Sequence, residues 1–323
     1  MNIKSIILED PSGIRATITN YGATLMRLQV PDRNGKLVDV VIGLPKAEDY
    51  MLSSYHQKKF YLGATIGRYA GRISKGGFTL DNKFYPLVSE REEQLHGGPN
   101  SLDKQVWEVV SITEGANPSV VLKTHSPAGQ NGYPATLEIF AKYQLSNNAL
   151  HIEYTATTDA PTVINLTNHA YFNLNGTGSV ANHILQLHSP SYLEVDSHLI
   201  PTGNYFETTG SQFDFRNPSK LEMLEQYPLD TPFSLKGEGP QAILHSEDSG
   251  ITMTVSTNQP CMVLFTPHDL GNIPVRNAHQ YKRFPAICLE CQNFPDAPNQ
   301  PNFPSSVLFP GTTYRNTISY NFT

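Results

Sequence analysis

Charged side chains are scarce in this chain. Asp, Glu, Lys and Arg make up 16% of its 323 residues, with 23 Lys and Arg against 29 Asp and Glu. No basic stripe is present, which excludes the electrostatic footprint of a protein that grips phosphate backbones. Lys58-Lys59 and Lys282-Arg283 are isolated pairs and read as solvated edges. No run approaches the roughly 20 apolar residues that a bilayer span needs. Neither nucleic acid nor a membrane is therefore an expected partner. The opening run Ile6-Ile7-Leu8 is closed by Glu9-Asp10 before it reaches the length of a secretory signal core.

Cysteine is also sparse, at three residues. Cys288 and Cys291 form a C-x-x-C pattern. It lies across a strand end, without a βαβ context and without a second pair, so it reads as core rather than as a redox or zinc site. The three thiols fit a reducing, cytoplasmic setting. The motifs G-x-S-x-G, P-loop, dinucleotide fingerprint, H-E-x-x-H and acidic calcium loop are all missing. His183 and His188 fall on opposite faces of a strand-like run, which argues against shared ligation. No cofactor or metal is expected.

What is present is strand patterning. Residues 14–18, 119–123, 135–145, 150–154 and 252–256 are rich in β-branched and aromatic residues with period-two stretches. Turns at Asn34-Gly35, 146–148 and 248–250 punctuate them, and 23 glycines and 24 prolines are spread along the chain. Helical candidates are few and short: residues 46–52, and 218–226, where Ser219 and Glu222 have capping-box spacing. No linker, charge block or repeat divides the chain. These features predict one all-β domain over residues 1–323, a β-sandwich of closely packed sheets.

Several segments carry chemistry. Ala286-Ile287-Cys288-Leu289 reads as a strand entering a core and closing on Glu290, ahead of a Pro- and Asn-rich loop. A buried acid needs a partner or a task. Gly67-Arg68-Tyr69-Ala70-Gly71-Arg72 sets two arginines at an even spacing, which an extended chain would place on one face. Arg72 suits a substrate hydroxyl or a carboxylate, and Arg68 a buried acid that knits loops. His96 precedes two glycines that leave its ring approachable. His169 sits in Asn165-Leu166-Thr167-Asn168-His169-Ala170-Tyr171, a strand crowded with polar groups that demand partners. Its charge change near neutral pH makes it an acid or base candidate; a satisfied core histidine is the plainer alternative. Asp214, Asp230 and Asp296 are further acids, each with a solvated or capping role as the simpler account. A pair of acids flanking a sugar also leaves a glycosidase open.

Taken in order, these pieces resemble the aldose 1-epimerase (mutarotase) family: 67–73, Leu95-His96-Gly97-Gly98 with Asp103-Lys104 and Trp107, 165–174, 213–216, Leu229-Asp230 and 289–302. The resemblance implies a large antiparallel β-sandwich, the galactose mutarotase-like supersandwich, with a sugar groove on one face. It implies a monosaccharide substrate and no cofactor; either a monomer or a homodimer is compatible with the sequence. It casts Glu290 as catalytic base and His169 as general acid. His96, Arg72 and Asp230 become substrate binders. Three features depart from the family pattern: Gly71 stands where many relatives have Asn, Asp230 is followed by Thr231-Pro232, and the loop Glu92-Glu93-Gln94 is acidic. The alternatives are a family member acting on another or a phosphorylated sugar, a non-catalytic sugar binder, and a lyase or glycosidase on the same sandwich.

Overall fold

The structure, a computed structural model, describes residues 2–89, 91–237 and 239–323. Met1, which opens the amino-terminal run, lies outside the described residues, as do Glu90 and Glu238. The expected all-β architecture is present, and its sheets are antiparallel. The largest sheet has nine strands. At its centre lie Leu137–Ser146, Ala149–Thr158, Tyr314–Phe322 and Thr252–Thr257, the segments with the strongest alternation. Leu137–Ser146 alternates buried and half-buried residues along its whole length. A four-stranded sheet at the amino end runs from Ser5–Glu9 to Leu37–Asp39. A five-stranded sheet is ordered Pro201–Glu207, Ser191–Val195, Asp230–Ser234, Cys261–Phe265, Cys288–Gln292. The main apolar core draws from all three. Among the described residues no helix is long and apolar enough to cross a membrane.

Three local expectations are corrected. Residues 218–226 do not form a capped α-helix. Ser219–Lys220 pairs as a short strand with Ile184 and Leu185, and Leu221–Glu225 is a 3₁₀ turn without a side-chain cap. Strand pairing engages the Ser219 backbone where the cap would form, and Ser219 Oγ donates instead to the Asn217 carbonyl at 3.1 Å. Leu221 and Leu224 are buried, a three-residue spacing that a 3₁₀ turn places on one side.

Second, Glu290 does not close its strand but sits in the middle of Cys288–Gln292. Third, Arg68 and Arg72 do not share a face. Thr65–Ile66 pairs with Thr167–Asn168, Arg72–Ile73 pairs with Gln94–Leu95, and the chain turns between them. Arg68 enters the interior. There Nη2 donates to the Ala135 carbonyl at 2.7 Å and the guanidinium lies over the Tyr133 ring, so its partners are a carbonyl and a ring rather than the expected acid. Burial lowers its pKa to about 10.

Candidate functional site

The five-stranded sheet explains the site through a period of two. Its inward positions, Phe233, Met262, Leu264, Leu289 and Cys291, belong to the main core. The alternate positions, Asp230 and Pro232, Val263 and Phe265, Glu290 and Gln292, all face one cavity. Cross-strand register lines Val263 up with Glu290 and Asp230 with Phe265. One face of a sheet therefore presents two carboxylates and an amide on an apolar floor.

The opposite wall comes from loops. Arg72 is held by its strand pairing to Leu95 and by the Asp296 N–H donating to its carbonyl at 2.8 Å. His96 and Gly71 exchange hydrogen bonds: the His96 N–H donates to the Gly71 carbonyl at 2.9 Å, and the Gly71 N–H donates to His96 Nδ1 at 3.1 Å. The second bond requires a lone pair on Nδ1, so the neutral ring carries its proton on Nε2. Gly97, at φ +84°, could not hold a side chain, because a Cβ would lie 2.2 Å from the Gly67 carbonyl oxygen. His169 is fixed through its backbone: its N–H donates to Ala64 and its carbonyl accepts from Gly63.

The polar crowd around His169 resolves into ties between these walls. Asn165 Nδ2 donates to the carbonyls of Ala70 and Asn293, and Thr167 Oγ1 donates to the Cys291 carbonyl. Asn168 Nδ2 donates to the Gly63 carbonyl. The amides thus lock the arginine loop and the Glu290 strand to the histidine segment.

Arg72, His96, His169, Asp230 and Glu290 all line this cavity of about 400 Å³, within the range of small-molecule sites, roughly 300–1,000 Å³. His169 Nε2 lies 3.6 Å from Glu290 Oε1. The His169 ring stacks between Tyr171 and Tyr61, with His96 and Phe265 edge-on. This aromatic box desolvates the ring and lowers its pKa to about 4. Burial also pushes His96 well down, helped by His169 and Arg72. Glu290 is pushed well above the carboxylate range by burial and then by Asp230, while Arg72 pulls it back. Asp230 is raised by burial and opposed by Arg72. Burial thus drives both Glu290 and His169 toward their neutral forms, because a desolvated site disfavours charge.

Other expected acids lie elsewhere. Asp214 forms a fork with Arg216 near the surface. Asp296 is fully buried but accepts from Ser74, Asn299 and Gln300. The thiols of Cys261, Cys288 and Cys291 are free and buried. Sequence reasoning missed Tyr61, Tyr171, Phe265 and Gln292 in the cavity. Gln292 alone had a readable signal, its spacing of two from Glu290.

His96, His169 and Glu290 each bring a ligand atom within 4.8 Å of the others, close enough to reach one metal ion. His96 suits that role poorly, since Nδ1 already accepts from Gly71 and ligation at Nε2 would displace a proton. The arrangement is better matched to proton transfer: two titratable groups within a few ångströms, with the polar side chains of Arg72, His96 and Asp230 lining the same cavity.

Comparison with known proteins gives the same direction. The sequence model described as aldose 1-epimerase matches residues 4–321. Galactose mutarotase of Rattus norvegicus is 39% identical over 320 residues, covering 96% of this chain and 91% of that protein. Aldose 1-epimerase of Escherichia coli K12 is 32% identical, covering 98% and 94%. Among solved structures, an aldose epimerase homologue from C. elegans superposes with a TM-score of 0.92 at 32% identity, covering 100% of this chain and 99% of that one. A galactose 1-epimerase from Lactobacillus acidophilus gives 0.88 at 28% identity, covering 100% and 95%.

Proposed function

The chain belongs to the aldose 1-epimerase family, and on that premise we propose that it interconverts the α and β anomers of a free hexose such as galactose or glucose. In this reading Glu290 and His169 are the base and acid, and Arg72, His96 and Asp230 hold the sugar. The observation that carries it is the approach of His169 Nε2 to Glu290 Oε1 at 3.6 Å inside a hexose-sized cavity. The two oxygens of a hemiacetal share one carbon, so the groups that serve them must stand close together.

The reaction balances on one proton pair. Glu290 takes the proton from the C1 hydroxyl while protonated His169 gives one to the ring oxygen, and the C1–O5 bond breaks. Rotation about C1–C2 turns the aldehyde. Closure then runs the transfers backward on the other face: the Glu290 acid protonates the carbonyl oxygen, and neutral His169 takes the O5 proton. The pair carries one proton throughout, first on His169 and then on Glu290. The neutral arrangement that burial favours is the one present with the open chain. Arg72 draws the other within reach by stabilising the Glu290 anion. His96 offers its Nε2 proton to a sugar oxygen.

Fresh α-glucose or α-galactose followed by polarimetry tests the proposal. Mutarotation faster than the buffer rate is expected; hexose binding without acceleration would leave a sugar-binding protein instead.

The pH profile follows from the same proton pair. Below about pH 4 His169 takes a second proton and no base remains. Above the raised Glu290 value both groups are deprotonated and no acid remains. A bell in kcat/KM is expected, with its acid limb near pH 4 and its alkaline limb well above the usual carboxylate range. An acid limb at the ordinary histidine value of about 6.5 would contradict the proton pair.

The proposal treats residues 1–323 as one domain. Its support is that the carboxyl-terminal strand Tyr314–Phe322 lies inside the nine-stranded sheet and shares a core with Ile6 and Leu8. Three free thiols support a cytoplasmic location.

A further inference from the structure

Gln292 is fully buried, yet among the described residues neither its Nε2 nor its Oε1 has a hydrogen-bond partner. A buried carboxamide with neither end paired is unusual, because each unmade bond carries a desolvation cost. Its surroundings indicate why. Gln292 lies two residues beyond Glu290 on the same strand and faces the same cavity. Opposite it stands Gly71 at φ +81°, where a Cβ would come within 3.3 Å of Gln292 Nε2 and 3.0 Å of Pro295. With no side chain at Gly71, nothing from that position bonds to the amide. Among the neighbouring amides, Asn165 and Asn293 bond backbone groups on both sides of the site, and Asn168 bonds through Nδ2 although its Oδ1 is unpaired among the described residues; Gln292 has neither end paired.

We infer that Gln292 is a sugar-binding residue whose carboxamide reads one hydroxyl of the hexose, donating from Nε2 and accepting at Oε1. This rests on the proposed hexose site. Geometry also restricts which hydroxyl. Residues two apart on a strand are about 6.8 Å apart, at about 3.4 Å per residue. With Glu290 at the C1 hydroxyl, Gln292 reaches across the ring to a hydroxyl at C3, C4 or C6 rather than the neighbouring one at C2. The residue thus bears on which hexoses are accepted, not on proton transfer.

The test is titration calorimetry of glucose and its 2-, 3-, 4- and 6-deoxy analogues against the wild-type protein and Gln292→Met. Calorimetry reads binding whether or not the protein turns the sugar over. Glucose affinity is expected to fall about tenfold in Gln292→Met, the scale of one lost neutral hydrogen bond. One remote deoxy sugar should bind both proteins equally weakly, while the 2-deoxy penalty stays unchanged. Gln292→Glu, which keeps the acceptor, should retain more affinity than Gln292→Met if both melt at similar temperatures. Affinity unchanged within twofold, or an equal loss for every analogue, would overturn the inference. If mutarotation is absent but the non-additive hydroxyl persists, the epimerase reading fails and this one stands. If turnover is fast and Gln292→Met binds normally, the reverse holds.

Discussion

Glu290→Gln lowers kcat for mutarotation by about 10²–10⁴-fold, the usual contribution of a positioned acid or base, with hexose affinity changed only a few-fold. The substitution is isosteric and keeps the packing of a residue sealed within the Cys288–Gln292 strand. It removes the group proposed to accept the C1 hydroxyl proton. Folding separates this outcome from collapse of the site. Glu290 has a folded pKa raised above its unfolded value. Its contribution to stability is therefore fully present below the unfolded value and is lost as pH rises through the folded one. The amide has no proton to lose, so the variant should be at least as stable as the parent at neutral pH. His169→Gln should show a similar fall in rate. If the two residues pass one proton between them as proposed, the double variant should be no slower than the slower single one. Stopped-flow polarimetry with calorimetric binding measures all three. A Glu290→Gln protein at full rate would remove the base assignment.

Asp296→Ala destabilises the fold by about 3 kcal/mol or more, the cost of stranding several buried donors to a carboxylate. Asp296 has no exposed surface. Its carboxylate accepts from Ser74 N at 2.9 Å, Ser74 Oγ at 2.8 Å, Asn299 Nδ2 at 2.9 Å and Gln300 Nε2 at 3.3 Å. Its own N–H donates to the Arg72 carbonyl. The residue therefore fastens the loop 295–300 to the strand that carries Arg72, so truncation should also raise KM by loosening Arg72. Denaturant unfolding gives the stability change, and a loss below about 1 kcal/mol would show that the donors find other partners.

Much of this was legible along the chain, where local pattern governs. Leu137–Ser146 and Ala149–Thr158 alternate because one face meets the core and the other water, and that period survives in the sequence. The resemblance named Glu290, His169, His96, Arg72 and Asp230, and the fold brings the five to one cavity. Where the reading failed, a non-local contact had intervened. Ser219 has the spacing of a cap, but the Ile184 strand takes its backbone. Arg68 and Arg72 have the spacing of one face, but two different strands claim the ends of their segment.

Sequence alone determined the β-rich class and supplied the candidate acid and base, because strand period belongs to local order and chemistry to side chains. Tertiary structure alone decided that Asp296 is a fastener, bonded to Ser74, Asn299 and Gln300. It also pushes Glu290 and His169 toward their neutral forms. Desolvation depends on what surrounds a group in space, and the rings of Tyr61, Tyr171 and Phe265 that enclose His169 come from separate parts of the chain.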